Sequence, residues 1–133
     1  MNFNDALTRN ALLGELGAAK GLKSKAMTEK IMLGIHYRKA VEEWMKAREA
    51  IDGEKEASEE VKAEAANKKA MEDCGLSERR MSAEAFEQVV EAMMPLGSIH
   101  SFMAGQPKDG EKQPEVPVEM WLYTFADMLV ENK

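Results

Sequence analysis

A chain of 133 residues, 44% apolar and 32% charged, is long and apolar enough to bury a core, which excludes a disordered polypeptide. The single cysteine, Cys74, excludes an internal disulfide framework, and no apolar run approaches the length of a membrane span. The net charge of −6 hides an asymmetry of +4 over residues 1–41 and −10 over the rest. It reads first as a basic end complementing acidic helices of its own or a neighbouring chain, and second as an anion site at Lys20, Lys23 and Lys25.

Ala, Glu, Lys, Leu and Met are abundant and proline is scarce before Pro95, so helix is expected throughout. Asn4 is a candidate N-cap for a first helix reaching about Lys20, with Leu12, Leu13, Leu16 and Ala19 on its apolar face. Gly14, Gly17 and Gly21 weaken it. They do not make a phosphate loop, because Leu22 follows Gly21 where a lysine is needed and no strand precedes.

The second helix begins at Ser24 or Thr28 and runs to Ile51. Leu33, Tyr37, Ala40, Trp44, Ala47 and Ile51 recur at steps of four and three, which places them on one seam. Lys39, Glu42, Glu43, Lys46 and Glu49 lie opposite. Trp44 is expected to be buried inside a bundle or between subunits. The run Ile31–Ile35 is apolar on every side and predicts full enclosure. The seam covers about two and a half heptads, so a helical bundle is favoured over a coiled coil.

Asp52-Gly53 signals a break. Glu54–Asp73 reads as a polar helix, either separate or continuing the preceding one, with Ala57, Val61 and Ala65 as its thin apolar side. Gly75 and Leu76 suit a Schellman end to it. Ser82 is the expected N-cap of a fourth helix with Phe86, Val89, Val90, Met93 and Met94 on one face, closed off by Pro95. A short turn is expected within Leu96–Met103, with Ile99, Phe102 and Met103 inward. Residues 104–117 are the one clear loop, mobile or functional. Pro117 then opens a last helix whose face is Val118, Trp121, Leu122, Phe125, Met128 and Leu129. The fold class is all-α: a single domain, 1–133, built as a bundle of four to six helices.

Chemistry-bearing residues are sparse. Glu29, His36 and Glu43 share a helix face but are seven apart, about 10 Å along the axis, too far for adjacent members to share one ion. No zinc set is completed elsewhere, Cys74 has no base near it in sequence, and the paired carboxylates read as a solvated face. No catalytic residue, cofactor or metal is expected, and the chain is read as non-enzymatic. Eleven methionines mostly fall at core spacing; Met93, Met94 and Met103 are the ones placed to border an exposed groove.

Residues 70–86, with Gly75, Leu76 and Ser77 between apolar Cys74 and Met81, resemble the turn of a helix-turn-helix. That resemblance implies a nucleic-acid-binding regulator using Arg79 and Arg80. Met71 departs from the motif, where a small residue belongs, and Glu78, Glu84 and Glu87 oppose phosphate.

The favoured function is a protein–protein interaction module: an adaptor, an assembly chaperone or a small acidic inhibitor. Leu33, Tyr37, Trp44, Ile51, Trp121 and Phe125 are its candidate contact residues. Its partners are expected to be a second copy of itself or another protein, without membrane association. The alternatives are the nucleic-acid reader and a small-ligand binding protein. No basic-then-apolar leader opens the sequence, so the cytoplasm is the expected compartment.

Overall fold

Residues that favour helix form helix over most of the chain. A computed structural model describes residues 1–107 and 109–131. Lys108 of the expected loop therefore lies outside the described residues, as do the last two residues of the 1–133 domain. The described residues hold five α-helices: α1 (Phe3–Glu15), α2 (Ser24–Asp52), α3 (Glu59–Met71), α4 (Ala83–Met93) and α5 (Val118–Leu129). Two three-residue strands, β1 (Ser98–His100) and β2 (Glu115–Pro117), pair antiparallel with Ile99 opposite Val116. The protein is predominantly helical with one small sheet.

The local signals explain most helix ends. Ser82 caps α4 by accepting from the Ala85 N–H, and Gly53 follows α2 directly. Pro117 precedes the first residue of α5. The cap of α1 is Asn2 rather than Asn4: its side-chain oxygen accepts from the Asp5 N–H at 2.8 Å. Residues 54–58 are not helical, because Ser58 captures the Val61 N–H and starts α3 there. Thus α3 is separate from α2. It also ends earlier than expected, at Met71, where Glu72 turns extended and Asp73 bridges Asn2. Gly75 instead sits in a turn with φ +79°, its N–H donating to the Asp73 carboxylate.

The chain divides into two compact units, and α1 and α2 each contribute residues to both. The first comprises Met1–Ala11 and Leu33–Arg79. Its buried residues are Phe3, Ala6, Leu33, Tyr37, Ala40 and Ala66. Arg9 is also buried, and its guanidinium donates to Glu78 at 2.7 Å. The Lys69 ammonium sits 4.7 Å from the centre of the Phe3 ring and within ion-pair reach of Glu43 and Glu72.

The second unit comprises Leu12–Met32 and Arg80–Lys133. Its core is larger, with Leu12, Leu16, Met81, Val89, Met93, Val118 and Trp121 among its fully covered side chains. Helices α4 and α5 touch, and α5 also contacts β2. The expected short turn at 96–103 is in part strand β1. Ile99 is buried as expected, whereas Phe102 is exposed and packs its ring 5.5 Å from Phe125. Strand β2 and the short 3-10 turn Phe102–Ala104 take the two ends of the expected loop.

Glu15 joins distant parts of this unit. One carboxylate oxygen accepts from the Phe102 N–H at 2.7 Å and the other from the Trp121 indole N–H at 3.0 Å. Trp121 is fully buried, so removing the carboxylate strands a donor away from water. Glu15→Ala is expected to cost about 1–3 kcal/mol, measured by urea denaturation, with far-ultraviolet circular dichroism still of helical type.

Candidate interaction surfaces

The sequence-predicted contact residues separate by burial. Leu33, Tyr37, Trp121 and Phe125 are covered by the chain itself. Trp44 and Ile51 are half-exposed, and the Arg48 guanidinium lies 6.0 Å from the centre of the Trp44 ring. Ile51 lines a shallow hollow with Ala50, Ala57, Val61 and Ala65, the last three being the thin apolar side expected of the polar segment after Gly53.

The apolar run on α2 is not enclosed. Leu33 is buried, but Met27, Ile31, Met32 and Ile35 are between 38% and 59% exposed. An isolated helix covers only one face at a time, and here the chain covers the Leu33–Tyr37–Ala40 side. The remaining apolar side chains face solvent, which hydropathy pattern alone did not distinguish.

A second apolar surface lies between α4 and α5. Phe86 and Val90 from α4, Met94 just after it, and Leu122, Tyr123 and Ala126 from α5 line an open hollow of about 530 Å³, with Glu119 and Asp127 at its edge. Tyr123 is 80% exposed. Of the methionines expected to border a groove, Met94 does so, Met93 is buried in the core, and Met103 is half-buried.

The candidate anion-binding residues fall into two groups. In the second unit Lys23 pairs with Glu91 at 3.2 Å, and Lys25 lies 3.7 Å from Glu29 and 3.8 Å from Glu84. These lysines meet the chain's own carboxylates, while Lys20 is exposed. Arg79 and Arg80 lie on the non-helical stretch after α3. Eleven residues separate α3 from α4. A helix-turn-helix turn spans three or four, so residues 70–86 do not form that motif.

His36 and Tyr37 pin this stretch. The atom of Ser77 that His36 meets is the carbonyl oxygen, which only accepts, so the ring donates through Nε2, at 2.7 Å. The Tyr37 hydroxyl donates to the Arg79 carbonyl and accepts from the Arg79 N–H, both at 2.9 Å. Glu29, the first member of the seven-spaced set, accepts from the Ser82 N–H and hydroxyl at 2.8 Å. Glu43 faces Lys69. Each has a structural task, and no group of three metal-ligating side chains occurs among the described residues. His100 is exposed, 3.9 Å from Glu115 across the hairpin. Among the described residues no helix is long and apolar enough to cross a membrane.

No family model, curated protein or solved structure matches this chain.

Tyr37→Phe deletes both hydrogen bonds to Arg79 while keeping the ring. It is expected to lower stability by about 1–2 kcal/mol and to speed amide exchange at Arg79, read by urea denaturation and by hydrogen exchange.

Proposed function

We propose that the chain is a non-enzymatic protein–protein interaction module that works through apolar helix faces in the cytoplasm, as an adaptor, assembly chaperone or small acidic inhibitor. The observation that carries this reading is the exposed apolar side of α2: Met27, Ile31, Met32 and Ile35, contiguous on one helix. Contiguous exposed apolar surface marks contact sites more often than scattered single residues do. Trp44 and Tyr123 add large, partly or mostly exposed aromatic anchors of the kind that dominate binding energy. Self-association is the simplest form of the proposal, and a bundle of four to six helices is the architecture it expects.

The test is light scattering over a range of protein and salt concentration, paired with capture of proteins from native lysate on the immobilised chain. Ile31→Glu with Ile35→Glu is the control, because both side chains are exposed and helix content should hold. Self-association or capture that the control abolishes supports the reading. A monomer that captures nothing the control fails to capture refutes it. Tight binding of DNA at low salt would favour the nucleic-acid alternative instead.

A further inference from the structure

Met27, Ile31 and Ile35 recur every four residues on α2 and form one exposed stripe. Lys30 and Arg38 border it, eight residues apart on the same helix, about 12 Å along its axis. Neither forms an ion pair among the described residues. Gly34 lies between the two cations. A Cβ built there would meet nothing within 4 Å, so the chain's own packing gives no reason for a glycine inside this helix. Glycine is the weakest interior helix former after proline. What it supplies is a notch where another surface can come close to the backbone.

The hollow between α4 and α5 has the opposite charge. Its floor is apolar, with Phe86, Val90 and Leu122, and its edge carries Glu119 and Asp127. These carboxylates are also eight residues apart on one helix, and neither is ion-paired among the described residues. Two cations and two anions thus stand at the same axial spacing and the same angular offset, each pair bordering uncovered apolar surface.

We infer that the α4–α5 hollow receives the Met27–Ile35 stripe of a second copy of this chain, with Lys30 and Arg38 against Glu119 and Asp127. This rests on the interaction reading above and names its partner and site. Apolar contact supplies the affinity and the charge pairs set alignment. Because the two surfaces differ, the contact is heterologous: a different patch of each copy meets the other.

The test is light scattering on the full chain, with circular dichroism as the check on folding. The stripe variant, Lys30→Glu with Arg38→Glu, and the groove variant, Glu119→Lys with Asp127→Lys, should each be monomeric where the wild type associates. An equimolar mixture of the two should recover the associated mass, since each acidic surface then meets a basic one. Gly34→Ala should raise the melting temperature yet weaken association about tenfold or more, a combination that a purely structural glycine does not produce. It also keeps the test decisive if a charge variant unfolds. Wild-type association that survives these changes, with no recovery specific to mixing, overturns the inference and leaves the interaction reading to other faces. A monomeric wild type overturns it too, as does a monomer whose hollow takes a basic amphipathic peptide. In both cases the lysate capture decides the wider reading separately.

Discussion

Eleven consecutive residues, Glu72 to Ser82, carry no helix and only single bridges at Asp73 and Met81. Unpaired peptide groups away from water are costly, so this stretch must draw its hydrogen bonds from outside itself. In the first unit the partners are the start of α1 and two side chains of α2. The Phe3 N–H donates to the Glu72 carbonyl, the Cys74 N–H donates to the Met1 carbonyl, and His36 and Tyr37 hold Ser77 and Arg79. In the second unit the Met81 N–H donates to the Leu129 carbonyl, the Glu131 N–H donates back to Met81, and Glu29 holds Ser82. A few side chains on one long helix stand in for a strand ladder, so the order of this stretch depends on helices being in place.

The same economy governs charge. The basic N-terminal third meets acids of the chain itself through Lys23, Lys25 and Arg9. Pairs this exposed contribute little each; the buried Arg9 guanidinium is the exception, because its loss of a partner would leave charge without solvent. Lys30 and Arg38 on α2 and Glu119 and Asp127 on α5 form no such pair among the described residues, and each pair stands on a helix that carries exposed apolar side chains.

Legibility in the sequence followed the strength of the local signal. Ser82, Asp52-Gly53 and Pro117 act through their own backbone chemistry, and the helices begin or end where those residues direct. Asn2 and Asn4 carry the same chemistry, and only the contact with Asp5 decides between them. Ser58 was hidden in a Glu- and Lys-rich run of high helix propensity. The hairpin was hidden because three residues are too few to show alternation, and its strands are fixed by burial of Ile99 and Val116. Of the candidate contact residues, Tyr37 and Trp121 show why periodicity is ambiguous. A seam that reads as an interface is filled by the chain's own residues, and the surface on offer is the neighbouring apolar run that hydropathy assigned to the interior.

The two tryptophans fall one in each unit, Trp121 fully buried and Trp44 half-exposed. Each unit therefore carries its own fluorophore in its own environment. Emission from Trp121 reports a dry indole hydrogen-bonded to a carboxylate, while Trp44 remains open to aqueous quenchers beside a guanidinium. The protein comes with a two-colour gauge of its own melting: quenchable and protected emission change together if the units unfold as one, and in sequence if they do not.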